Sequence, residues 1–263
     1  MEQINLFDKK KIKANLEADL SSSFKLKIYS SVDSTNNKAK KFVQKYNDNK
    51  VIFAADIQNT GRGRRGHSWF SDDPASLSVS FLYKVSGDLN QIPQITAAAA
   101  LAVNKTLKKF KLEGNLKWPN DILIKGKKVG GILIENTIKG NEITSSVIGI
   151  GLNVFKFSMP ELTKATALSE HSKLAIKLDY LQEILMIQLD KSLSEMEHIS
   201  YPSLKFSYES HLFGIGVLKT FSRSNQKSFQ GFIRGVTSNG ALIIENQEGL
   251  KEFFQFKEVS LKL

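Results

Sequence analysis

Residues 117–135 read Lys117-Trp118-Pro119-Asn120-Asp121-Ile122-Leu123-Ile124-Lys125-Gly126-Lys127-Lys128-Val129-Gly130-Gly131-Ile132-Leu133-Ile134-Glu135. Short extended runs are expected at 116–118, 121–124 and 129–135. Lys125-Gly126-Lys127 between the last two has the form of a tight hairpin turn. Paired glycines weaken a strand of aliphatic residues, so Gly130-Gly131 marks either a bulge or the close approach of a ligand or another backbone. Lys117 also has two readings. It is a packed stem with its ammonium in water, or a charge fixed where negative charge builds in a transition state. Pro119-Asn120-Asp121 alone is a turn.

Upstream, Phe24, Leu26 and Ile28 alternate with Lys25 and Lys27 as in a strand, after a basic, mildly helical segment over 9–20. Asp33-Ser34-Thr35-Asn36 supplies helix-capping residues ahead of Ala39, Phe42, Val43 and Tyr46 at helical spacing. Strands are expected at 51–55 and 77–83. Pro93 is expected to open a long helix carrying Ile95, Ala98, Ala99, Ala102, Val103, Leu107 and Phe110 on one face. A buried strand follows at 147–154, then an amphipathic helix near 179–197. From residue 214 five short strands are expected (215–221, 228–236, 241–245, 251–256 and 259–263), with Asn239-Gly240 as a hairpin signal. This pattern predicts a mixed α/β domain over residues 1–213 and a small barrel over 214–263.

Composition narrows the function. The 263 residues include no cysteine, which excludes a disulfide scaffold, a thiolate nucleophile and any Cys-ligated metal. The net charge of +11 leaves nucleic acid, an anionic surface or an acidic partner open. The longest apolar run, Ala97 to Val103, falls far short of the roughly 20 residues a membrane helix needs. The N-terminus lacks the basic and apolar regions of a secretion signal, so a cytoplasmic protein is expected. His67, His171, His198 and His211 are scattered without metal spacing, and neither HExxH nor GxSxG occurs.

Gly61-Arg62-Gly63-Arg64-Arg65-Gly66 combines backbone freedom with three forked cations suited to carboxylates and phosphates. It lacks the Walker GxxxxGK[ST] pattern and the strand–turn–helix context of a dinucleotide fingerprint. By itself it is equally a solvated basic loop. Gly149-Ile150-Gly151-Leu152-Asn153 repeats the glycine-bearing strand of 129–135, with one amide in need of a partner.

The order of these pieces is more specific than any of them. Ser34-Thr35-Asn36, then Gln58 with the Gly61–Gly66 loop and Trp69, then Lys117–Asp121, Gly130–Glu135 and Gly149–Asn153, resembles the biotin–protein ligases over about residues 28–263. The resemblance implies a mixed β-sheet flanked by helices, shared with lipoate ligases, plus a C-terminal SH3-like barrel. It implies formation of biotinyl-5′-AMP from biotin and ATP with Mg²⁺, then transfer of biotin to a lysine of the biotin carboxyl carrier protein. Carried over by motif, the biotin site would comprise Ser34, Thr35, Asn36, Gln58, Gly61, Arg62, Gly63, Arg64, Lys117, Gly130 and Gly131. Arg64, Arg65, Trp69, Lys117, Asn120 and Asn153 would meet the adenylate, and Lys117, Arg62 and Arg64 would carry the catalysis. Asp121 is a further candidate for nucleotide or metal, and no metal ligand is assigned.

Only 33 residues precede Ser34, which is short for the winged helix-turn-helix of the repressor members. The expectation is a ligase that does not bind DNA. A homodimer could form if strand edges near 129–135 or 147–154 pair between copies. The competing readings are a lipoate or octanoate ligase of the same fold and a basic nucleic-acid-binding module.

Overall fold

The computed structural model describes residues 25–45, 50–66, 68–69, 75–156, 164–225 and 227–262. The basic segment 9–20 and His67 lie outside them. The first seven strands are β1 (Lys25–Val32), β2 (Lys50–Gln58), β3 (Ser76–Asp88), β4 (Asn115–Lys117), β5 (Asp121–Ile124), β6 (Lys127–Lys139) and β7 (Glu142–Asn153). They form one sheet in the order β1-β2-β3-β7-β6-β5-β4. β1 and β2 are parallel and every other pair is antiparallel, so the sheet is mixed as expected.

Helices cover the two faces unequally. α1 (Thr35–Val43) packs Ala39 and Phe42 on Val51, Phe53, Leu82 and Val147 at one end of the first face. On the opposite face Leu77, Val79, Phe81, Ile148 and Ile150 meet α2 (Gln91–Lys109) and α3 (Leu178–Met196). The alanine stripe Ala97–Ala100 in α2 lets these layers approach closely, and all four residues are buried. Strand period two decides which residue meets which layer. Along β3 and β7 the large residues take the helix-covered face, and Ser78, Ser80, Gly149 and Gly151 take the other. Beyond α1 the first face therefore presents small residues, and a cavity lies over it.

A second, all-antiparallel sheet follows in the order β11-β10-β9-β8-β12. Its strands are β8 (Leu218–Arg223), β9 (Ser228–Val236), β10 (Leu242–Glu245), β11 (Lys251–Phe254) and β12 (Val259–Leu261). This is the small SH3-like unit. Its buried Phe221, Ile233, Leu242, Ile244, Phe254 and Val259 join the hydrophobic core of the large sheet without a break. Leu116 N donates to His211 O and Phe213 N to Leu116 O (2.8 and 2.9 Å), which fixes β4 to the chain entering this unit.

Three differences from the sequence reading have physical causes. α4 (Tyr201–Glu209) was not expected, although Ser200 caps it, Pro202 sits in its first turn, and Leu204 and Tyr208 are buried four residues apart. β6 and β7 run on through the polar stretch 136–146 and turn at Gly140, with φ +62°. Cross-strand pairing holds that hairpin where hydrophobic patterning does not. α2 begins at Gln91, and Pro93 falls within its first turn, where a missing N–H costs nothing.

The dimer expectation is corrected in part. β7 lies between β3 and β6, so 147–154 offers no edge. β5 covers β6 only as far as Gly131, and among the described residues the outer edge of β6 beyond Ile132 has no strand partner.

Candidate active site

Because β1 and β2 are parallel, their C-terminal ends lie side by side, with Val32 opposite Gln58. The chain leaves β1 through Ser34, enters α1 at Thr35-Asn36, and buries all three residues against the open face. Ser34 is the N-cap by backbone geometry, but its side chain makes no capping bond. Thr35 N donates to Gln58 Oε1 at 2.8 Å. Ser80 Oγ, wholly buried on β3, lies 2.7 Å from Thr35 Oγ1 and 2.6 Å from Asn36 Oδ1. The Thr35 hydroxyl is also 3.1 Å from Gln58 Oε1. Two hydroxyl protons serve these three contacts. The cluster therefore keeps acceptor capacity for a neutral polar group that brings its own N–H donors.

Asn36 is itself braced, donating from Nδ2 to Leu133 O (3.3 Å) and Glu135 Oε2 (3.0 Å). Lys40 Nζ donates to Glu135 Oε1 at 3.0 Å, and Arg62 Nη1 is 3.8 Å from the same oxygen. Burial pushes the Glu135 carboxyl up, but the hydrogen bonds from Asn36 and Lys40 and the charges of Lys40 and Arg62 prevail, holding it below its usual range. A lowered pKa in the folded state stabilises the protein above the ordinary carboxylate range. The gain is lost as pH falls through the lowered value. Glu135→Gln is expected to lower the unfolding free energy by about 1 kcal/mol at neutral pH. In urea titrations that difference from wild type should vanish in acid.

A register row crosses the sheet from here: Ser78 on β3, Gly151 on β7, Gly131 on β6, Asp121 on β5 and Lys117 on β4. Neighbouring strands lie ~4.8 Å apart, so this row of four steps spans about 19 Å. It floors a cavity of about 500 Å³. The Ser34–Gln58 cluster and Lys117 line opposite ends of that cavity, with Arg62, Gly63, Arg64, Trp69 and Asn120 along it.

The Lys117 end is cationic. Burial pulls the Lys117 ammonium below the usual lysine range; Asp121 opposes this, and the charges of Lys128 and Lys164 add to it. Lys128 Nζ pairs with Asp121 Oδ1 at 2.6 Å. Asn120 Nδ2 donates to Ile132 O (3.2 Å) and Ile132 N to Asn120 O (2.9 Å), pinning the 117–121 turn on β6. This end suits phosphate or carboxylate.

The Gly61–Gly66 loop borders the cavity. Trp69 N donates to Gly61 O at 2.8 Å, closing the loop's base. A Cβ at Gly61 would collide with Trp69 O, so Gly61 shapes the hairpin and does not line the cavity. The Trp69 indole lies over Gly151, where a Cβ would come within 2.5 Å of Cε2. Its Nε1 is buried and has no hydrogen-bond partner among the described residues.

The profile of the biotin/lipoate A/B protein ligase family matches residues 28–153, which contain this row and both cavity ends. The chain is 33% identical to the bifunctional ligase/repressor BirA of Bacillus spizizenii, over 85% of this chain and 70% of that protein. The chain belongs to the biotin–protein ligase family. It is also 25% identical to the biotin–[acetyl-CoA-carboxylase] ligase of Paracoccus denitrificans, over 82% of this chain and 92% of that one. The structure of the Aquifex aeolicus biotin protein ligase in complex with biotin and ATP superposes with a TM-score of 0.73 at 26% identity. The match covers 90% of this chain and 98% of that chain.

Within this family member, the expected site residues separate by strand face. Gly131 lines the cavity, whereas Gly130 points away from it. A Cβ at Gly130 would strike Gly151 O and come within 2.6 Å of Leu152 Cδ2, so this glycine permits sheet packing and the pair does not act as one wall. Asn153 is also off the cavity lining, and its Nδ2 donates to Thr166 O at 3.3 Å. Arg65 is placed in the loop by its backbone alone. Sequence reasoning missed Ser80, and it placed Lys128 and Gly149 in candidate segments without giving either a role at the site. The signal for Ser80 was a serine alternation, Ser78-Val79-Ser80-Phe81, on a strand buried on both faces. Gly149 leaves the room that Asn36 occupies.

Proposed function

We propose that the chain is an ATP-dependent biotin–protein ligase acting on a lysine of the biotin carboxyl carrier protein of acetyl-CoA carboxylase. One observation carries the reading: a single cavity joins a neutral hydrogen-bonding end at Ser34–Gln58, held from below by Ser80, to a cationic end at Lys117 and Lys128. A ureido ring with two N–H groups and a carbonyl suits the first, and a carboxylate meeting a phosphate suits the second. The apolar dithiolane of lipoate would bring no N–H donor to the spare acceptor capacity of the Thr35–Asn36–Ser80 cluster, which favours biotin over the lipoate reading.

In the first step a biotin carboxylate oxygen attacks the α-phosphorus of ATP, and pyrophosphate leaves. Two anions must meet, and Lys117 with the loop arginines offsets their repulsion. In the second step the acceptor lysine's amine attacks the acyl carbon and AMP leaves. Mg²⁺ enters with the ATP phosphates as part of the substrate. Among the described residues no cluster of three acidic, His or Cys side chains forms a cage for it, and Asp121 is already paired with Lys128. The outer edge of β6 beyond Ile132 is the route to a homodimer, and the cytoplasm is the compartment this chemistry expects.

Calorimetric titration with biotin, lipoate and then biotin plus ATP tests the proposal. Micromolar or tighter biotin binding with ATP-dependent pyrophosphate release is expected. Binding of lipoate but not biotin would overturn it. The Gly/Arg loop should also retain the adenylate, since closing over a mixed anhydride excludes water. Arg64→Gly removes a charge-assisted contact and should speed escape of biotinyl-AMP about tenfold. The readout is biotin label on lysines of a bystander protein, and labelling confined to the acceptor would refute the retention role.

A further inference from the structure

Phe256 lies between β11 and β12 and is 44% exposed, yet its ring is held by specific partners. A tight turn holds it there. Gln255 N donates to Glu258 Oε2 at 2.6 Å, Glu258 N donates to Gln255 O at 3.2 Å, and Lys257 takes φ +80°. The Trp118 indole stacks on the ring, with centroids 5.1 Å apart and planes 18° from parallel. Trp118 Nε1 donates to Gly240 O at 3.0 Å, which fixes the indole against the β9–β10 turn. The Arg64 guanidinium sits 3.9 Å from the Phe256 ring centroid. Behind the three side chains lies a second cavity of about 230 Å³, lined also by Pro93, Ile134 and Tyr208. Arg64 and Trp118 line both cavities, so they form part of the wall between them.

From this geometry we propose that Phe256 is a positioning residue. It acts through Arg64 and Trp118, so the C-terminal sheet sets the Gly/Arg loop at the mouth of the main cavity. Gly63 and Gly66 leave the backbone around Arg64 little resistance of its own, and Gly66 has φ +78°. The loop is therefore tied down through side chains, and one of those ties reaches into the other sheet. Without the ring, the second cavity gives Arg64 and Trp118 room to turn away from the reacting groups. The ligand-binding cluster at Ser34–Gln58 lies at the other end of the main cavity, so it should not sense the change.

The catalytic readout rests on the ligase reading, and the structural readout does not. Phe256→Ala should slow biotin-dependent pyrophosphate release about five- to tenfold in kcat, the range of a partly exposed cation–π contact. Biotin Kd should stay at the wild-type value. Tryptic cleavage at the loop arginines, followed by mass spectrometry, should accelerate by a similar factor. Phe256→Tyr keeps the π face and should restore both, whereas Phe256→Leu keeps apolar bulk without it and should restore neither. Wild-type behaviour of Phe256→Leu, or no change in loop cleavage with Phe256→Ala, would overturn the proposal. If the unmodified protein releases no pyrophosphate with biotin and ATP, the ligase reading fails, and the cleavage series still decides the role of Phe256.

Discussion

Lys117→Ala is expected to slow biotin-dependent pyrophosphate release by about 10²–10³-fold, the usual loss when one donor aimed at developing negative charge is removed. Lys117 is the last residue of β4, opposite Asp121 on β5, and the sheet fixes its backbone on the cavity row. Its ammonium is half-buried among like charges, so it has already lost part of its hydration and interacts strongly with an incoming anion. The same burial lowers its pKa. Activity that needs the ammonium is full below that lowered pKa and declines as pH rises through it, so the alkaline limb should begin earlier than for an ordinary lysine. Lys117→Arg holds its charge across this range and should lose that limb, even if its absolute rate falls because its forked geometry differs. Wild-type pyrophosphate release by Lys117→Ala would remove Lys117 from the mechanism.

The second large effect concerns a glycine. Gly149→Ala should weaken biotin binding by about 10–100-fold. A Cβ there would overlap Asn36 Oδ1 and come within 2.9 Å of its Cγ. Asn36 has no ready retreat, because Ser80, Leu133 O and Glu135 hold its amide and it is buried. Moving it leaves buried polar groups unpaired, at about 1–3 kcal/mol each. Gly131→Ala is the comparison. Its Cβ would meet nothing nearer than 3.6 Å, an ordinary contact. In thermal unfolding Gly149→Ala should lower the Tm and Gly131→Ala should leave it nearly unchanged. Calorimetry then measures biotin affinity directly, and unaltered binding by Gly149→Ala would contradict the assigned role of Asn36.

Much of the large sheet was legible because its strands are patterned. The Lys125-Gly126-Lys127 turn, the alternation at 77–83 and the helix near 179–197 all follow from local periods, and they appear within a few residues of the expected limits. The hairpin over 136–146 was not legible. Asn136, Thr137, Lys139, Glu142 and Thr144 carry no hydrophobic period, and their strand conformation comes from pairing with each other. At the site, Ser34, Thr35, Asn36, Gln58, Arg62, Gly63, Arg64, Trp69, Lys117, Asn120 and Gly131 do gather on one cavity. Gly130 shows the limit of motif transfer. Adjacent residues on a strand face opposite ways, and no motif states which of two glycines takes the open face.

The sequence by itself determined most of the element types, the absence of thiol chemistry and the cationic Gly/Arg loop, because these depend on composition and on spacing within a few residues. Tertiary structure decided everything that depends on strand order and register. The row from Ser78 to Lys117 draws on five strands, and only their pairing aligns them. It also set Ser80 under Asn36, Lys128 beside Asp121, and Phe256 against Arg64. The first and last of these contacts join residues that carry no mutual signal along the chain, and the second needs the register within a hairpin that the sequence signals only as a turn. Their distances are fixed by how the sheets pack, and packing is a property of the whole fold.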